Sequence, residues 1–109
     1  MAGVERGGGA EVTIQTTADP AGVPVVVLSG ELDSSNVDAL SARLTSITAE
    51  QPERVIFDLS GLRFMDSAGI AVLVGTARSV KNVCLRNPSD VVRRVIEVTG
   101  LTELLPIES

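Results

Sequence analysis

Ser67 is the side chain best placed to do chemistry in this sequence of 109 residues. It follows Met65 and Asp66 and precedes Ala68 and Gly69, just before an apolar set at helical spacing: Ile70, Leu73, Val74 and Ala77. That spacing predicts a helix beginning near Ser67, with Ser67 at the N-cap. A hydroxyl there stands at the positive end of a helix and at the surface, a good seat for a phosphate. Two carboxylates belong to the same picture. Asp66 is adjacent in the chain, and Asp33 ends an earlier apolar run. Acidic groups at such a place orient an acceptor hydroxyl or meet a basic patch on a partner. Asp33 is assigned contact rather than catalysis.

Other chemistries are excluded by composition. The chain has no histidine, so neither a Ser-His-Asp nor a Cys-His arrangement exists within it. One cysteine, Cys84, supplies no zinc ligand set and no internal disulfide, and it reads as a small core residue. No phosphate-cradling Gly-x-x-x-x-Gly-Lys-[Ser/Thr] run is present. Gly61 and Gly69 are too scattered to replace it; Gly69 instead permits close approach by a partner or a neighbouring backbone. No catalysis, metal or cofactor is expected. The formal charge of −5 argues against nucleic acid as a partner. No run of 18 apolar residues predicts a membrane span, and no apolar leader is visible near the start, so the cytoplasm is the expected location.

The elements that must position Ser67 follow from pattern. Residues 1–10 are Gly-rich and aperiodic and read as a flexible tail, with one domain over 11–107. Residues 11–17 alternate and predict a strand; 25–32 predict a second, central one, the two forming an antiparallel hairpin across turn residues 18–22. Ser35 and Asp38 resemble a capping box ahead of a helix with the stripe Val37, Leu40, Leu44 and Ile47, which Pro52 helps to stop. Val55, Phe57 and Leu59 alternate with Ile56 and Asp58 as a buried strand, broken at Ser60-Gly61. Phe64 and Met65 then fall in a loop, where each either folds back into the core or stays exposed, and a partly exposed Met65 would suit an adaptable interface. A short strand at 82–86 precedes a third helix opening at Pro88-Ser89, with Val91, Val92, Val95 and Ile96 inward and Gly100 after its last turn. Leu101, Leu104 and Leu105 suggest one more helical turn, and the residues after Pro106 read as loose. The order predicts an α/β domain: a mixed sheet with helices mainly on one face, because same-handed crossovers stepping one way share a face.

Two segments, Leu28-Ser29-Gly30-Glu31-Leu32-Asp33 and Asp58-Leu59-Ser60-Gly61-Leu62-Arg63-Phe64-Met65-Asp66-Ser67-Ala68-Gly69-Ile70, resemble the STAS domain, specifically the single-domain bacterial anti-sigma factor antagonists. Residues 92–101 resemble the C-terminal helix of that family. The resemblance implies that Ser67 is a phosphoacceptor. It implies an unmodified form that binds an anti-sigma factor with serine kinase activity and frees a sigma factor. Phosphorylation then releases the antagonist, and a metal-dependent serine phosphatase reverses the mark. The partner-binding surface so implied comprises Asp33, Ser34, Arg63, Met65, Asp66, Ser67, Gly69 and Ile70. Ala68 stands where the family often has Ser or Thr, and the segment between Val80 and Val83 is short. Two alternatives stay open: a STAS subunit of a transport or signalling assembly that is never phosphorylated, and a receiver-like domain with Asp58 as phosphoacceptor.

Overall fold

The structure, a computed structural model, describes residues 2–7 and 10–108. Among these residues six strands form one sheet in chain order: β1 (Ala2–Gly7), β2 (Ala10–Ala18), β3 (Pro24–Leu32), β4 (Arg54–Met65), β5 (Asn82–Arg86) and β6 (Ile107–Glu108). The pairs β1/β2 and β2/β3 are antiparallel; β3/β4, β4/β5 and β5/β6 are parallel. Three helices, α1 (Val37–Thr48), α2 (Ser67–Ser79) and α3 (Asp90–Val98), make the crossovers between the parallel strands. Each crossover steps the same way along the sheet, so all three helices lie on one face, as the same-hand rule requires.

The core sits between that face and the helices. Leu40 and Leu44 of α1, Ile70 and Leu73 of α2, and Val92 and Ile96 of α3 pack on Val26, Leu28, Phe57 and Leu85 of the sheet. Burial of each such side chain contributes about 1.5–3 kcal/mol. The opposite face carries a smaller cluster of Val25, Ile56 and Cys84. Near it, Glu108 of β6 holds Arg54 (2.8 Å) and reaches Arg86 (4.0 Å), fastening the last strand across β5 to β4.

Several expectations are corrected. Of the expected tail, residues 2–7 form β1, while residues 1, 8 and 9 lie outside the described residues. The outer edge of β2 offers unpaired amides and carbonyls, and β1 takes them up. Of the residues after Pro106, Ile107 and Glu108 are likewise paired, as β6, with Leu85 N–H donating to the Pro106 carbonyl (2.8 Å), while residue 109 lies outside the described residues. Ser60-Gly61 does not end β4. The strand continues to Met65 through two shifts of register against β3, one between Val27 and Ser29 and one between Gly30 and Glu31. Each shift places an extra residue in β4, as a bulge does. Leu59, Leu62 and Met65 therefore all reach the helix-covered core although they are three apart. On α3, Val91 faces solvent rather than the core, because the valines at 91 and 92 point in different directions on a helix. Ser89 caps α3 by accepting from Val92 N–H (3.3 Å), and Gly100 follows with φ +74°, a conformation glycine adopts freely.

Candidate functional site

Parallel pairing brings the C-terminal ends of β3 and β4 to one edge of the sheet, with Leu32 beside Met65. The loop after β3 and the start of α2 therefore meet there. Asp66 joins them. Its backbone is extended, at φ −100° and ψ −171°, and one carboxylate oxygen accepts from the amides of Ala68 (2.9 Å) and Gly69 (3.2 Å). The other accepts from the Ser34 amide (3.3 Å), and the Asp66 amide itself donates to the Leu32 carbonyl (3.2 Å).

The N-cap of α2 is thus Asp66, not Ser67. Only the residue just outside the first turn can fold its side chain back onto the second and third helical amides, and Asp66 holds that position. Ser67 is the first helical residue. It is exposed, and its hydroxyl has no hydrogen-bond partner among the described residues. The positive helix end still favours an anion there. The amides of Ala68 and Gly69, however, are already engaged by Asp66, so the cap of α2 is filled beside the Ser67 hydroxyl.

Asp33 is half-buried and serves its own loop. Its carboxylate accepts from the Ser35 amide (2.9 Å) and hydroxyl (2.5 Å), and its carbonyl accepts from Val37 N–H (3.0 Å). Ser35 is therefore not the N-cap of α1. Asn36 stands before α1, and its buried side chain turns back into the loop. The Asn36 Oδ1 accepts from Asp33 N–H (3.0 Å) and its Nδ2 donates to the Glu31 carbonyl (2.9 Å). Both ends of the amide are satisfied, which a buried Asn requires. Asn36 is a positioning residue that sequence pattern did not flag; its one signal is an Asn just ahead of a helical stripe.

The expected partner surface divides in two. Ser34 and Asp66 are bonded at the accessible edge with Asp33 and Ser67 next to them in the chain, while Arg63 is exposed beside Glu31. Met65, Gly69 and Ile70 are buried beneath it, so they do not present side chains to a partner. Gly69 admits close approach, but from inside: a Cβ there would lie 2.6 Å from Met65 Cγ and 2.9 Å from Leu32 Cδ2. Phe64, next to Met65, is the exposed one of the pair. Arg63 points outward with Nη2 3.8 Å from Glu31, a solvent-exposed pair of the kind worth about 0–1 kcal/mol. Asp58, the acceptor in the receiver-like alternative, lies within β4 rather than at its end and binds the Ser60 amide (3.0 Å) and hydroxyl (2.8 Å). No group of three or more acidic, His or Cys side chains able to hold a metal occurs among the described residues.

The family model that describes the STAS domain matches residues 14–109. The chain belongs to the STAS domain family. Among its STAS relatives, an anti-sigma F factor antagonist of Paenibacillus polymyxa is 34% identical over 93 residues, covering 79% of this chain and 78% of the relative. The crystal structure of an anti-sigma factor antagonist from Mycobacterium paratuberculosis superposes with a TM-score of 0.81 at 29% identity, over 88% of this chain and 84% of that one. The Bacillus cell fate determinant SpoIIAA in its phosphorylated form superposes with a TM-score of 0.68 at 26% identity, over 88% and 91% of the two chains. The STAS fold described above is thus shared with solved antagonists over 88% of this chain. No helix among the described residues is long and apolar enough to cross a membrane.

Proposed function

We propose that this STAS domain is a cytoplasmic anti-sigma factor antagonist, a regulatory binding protein rather than an enzyme, switched by phosphate on Ser67. The unmodified form binds an anti-sigma factor with serine kinase activity and frees its sigma factor. That kinase transfers phosphate from ATP to the Ser67 hydroxyl and so releases the antagonist; a metal-dependent serine phosphatase restores the hydroxyl. One observation carries the reading. Ser67 is an exposed, unbonded hydroxyl at the first position of α2, while the neighbouring Asp66 does the capping. The acceptor can therefore be modified without removing a bond that holds the fold. Names of relatives support the same reading: antagonists of anti-sigma factors, and one solved in a phosphorylated form.

Phosphate adds about −1.5 to −2 charges at neutral pH. Projecting from a filled cap, it burdens the interface rather than the domain. A loss of 2.8 kcal/mol there weakens binding about a hundredfold. Calorimetry against the source cell's kinase-type anti-sigma factors, each purified singly, tests this, with mass spectrometry locating the phosphate. Ser67→Ala should bind and resist release by ATP; Ser67→Glu should stay folded and bind poorly. Equal affinity of the phosphorylated and unmodified proteins would overturn the proposal.

A further inference from the structure

We infer that Phe64 is the apolar anchor by which the anti-sigma partner grips this domain, received by a nonpolar pocket with a basic rim; the inference rests on the antagonist reading of the Ser67 edge. The chain has two aromatic residues and no Trp or Tyr. Phe57 is fully buried, whereas Phe64 is 43% exposed, so Phe64 is the one aromatic ring this protein can offer a partner. Binding energy at protein interfaces concentrates in a few large side chains, aromatic ones prominent among them.

Its place in the fold fits that role. Phe64 pairs in register with Glu31 and lies between the bulged Arg63 and the buried Met65. Met65 and Leu32, both fully buried, fix the backbone on which the ring stands. The backbone that carries the ring is thus ordered before any partner arrives, which lowers the entropic cost of binding. Phe64 is three residues from Ser67, so their Cα atoms are at most about 11 Å apart. A standard interface covers about 800 Å² per partner, a disc of roughly 16 Å radius. A partner centred on Ser67 therefore reaches Phe64 as well. Glu31 stands across from Phe64 in the sheet, Asp33 and Asp66 lie in the adjoining strand-end loops, and the nearby cation Arg63 is already paired with Glu31. That balance calls for basic groups around the receiving pocket.

The test measures binding of the full chain to each kinase-type anti-sigma factor of the source cell, purified singly. Phe64→Ala should weaken binding about thirtyfold, the loss that marks a dominant interface residue. Phe64→Leu, which keeps apolar volume, should recover most of that loss. Val98→Ala, a control at an exposed apolar residue of α3, should bind as the unaltered chain does. Thermal melts of all three should match the unaltered chain, which separates binding from folding. Binding by Phe64→Ala within threefold (about 0.7 kcal/mol) of the unaltered chain, while Ser67→Glu fails to bind, overturns the anchor and leaves the phosphoswitch standing. If the unaltered chain binds none of these proteins, the antagonist reading fails and the anchor fails with it.

Discussion

The Ser34 amide donates to the Asp66 carboxylate at 3.3 Å, joining positions 32 apart in sequence. The same carboxylate caps α2 through Ala68 and Gly69. One side chain thereby sets the first turn of the helix that carries Ser67 and ties it to the loop that carries Asp33. Asp66→Ala should cost about 0.5–2 kcal/mol through the lost cap, with the Ser34 contact adding to it. Asp66→Asn, which still caps, should cost less. Urea midpoints of the two variants check the order.

Gly69→Ala should destabilise the domain. Alanine favours a helix over glycine by about 0.8–1 kcal/mol. Against that, its Cβ would press on Met65 and Leu32 inside a filled core, and overpacking of this kind costs about 1–3 kcal/mol. The second effect wins unless both side chains give way. Chemical denaturation gives the sign directly, and a more stable Gly69→Ala would show that the core under α2 yields.

Leu40→Ala and Leu73→Ala each remove a fully buried side chain from the helix-covered core. Each should cost about 2–5 kcal/mol. A domain of this size has about 5–15 kcal/mol in total, so either change should lower the melting midpoint steeply. Scanning calorimetry of the purified variants is the check.

Cys84 should make stability depend on alkaline pH. Burial first, and then the nearby Glu108 carboxylate, push its thiol above the ordinary value of 9.0, with Arg54 pulling the other way. The folded chain therefore keeps this proton longer than the unfolded chain does. Stability from this group is fully present below 9.0 and falls as pH rises from there through the raised folded value, because only the unfolded thiol ionises freely. Cys84→Ala should flatten that decline in denaturation curves taken at rising pH. In the native state at neutral pH, a thiol reagent should label Cys84 slowly.

Much of this architecture is legible in sequence. The stripes at Leu40 and Leu44, at Ile70 and Leu73, and at Val92 and Ile96 predicted helix faces that do pack on the sheet. A period of 3.6 survives in sequence because a helix has no insertions. Period two does not survive in β4, where two bulges respace the core residues to Leu59, Leu62 and Met65. That respacing makes a continuous strand read as strand and loop, and it leaves Phe64 and Met65 indistinguishable, each as fit for the core as for the surface. The cap of α2 was ambiguous for a different reason. Asp and Ser are equally good caps, and Asp66-Ser67 offers both in succession. The bond from Ser34 to Asp66 had no local signal at all, since it exists only once β3 and β4 lie side by side.

The strand order also bears on how the chain comes together as it is made. Each strand lies next to the one synthesised just before it, from β1 to β6 without exception. No later strand has to be threaded between two that have already paired. A growing chain can add one strand at a time, each one after β3 preceded by a covering helix, and β6 closes the row when Glu108 reaches Arg54 and Arg86. The edge that carries Ser67 is built from β3, β4 and the first turn of α2, so all its parts have been synthesised before β5 begins.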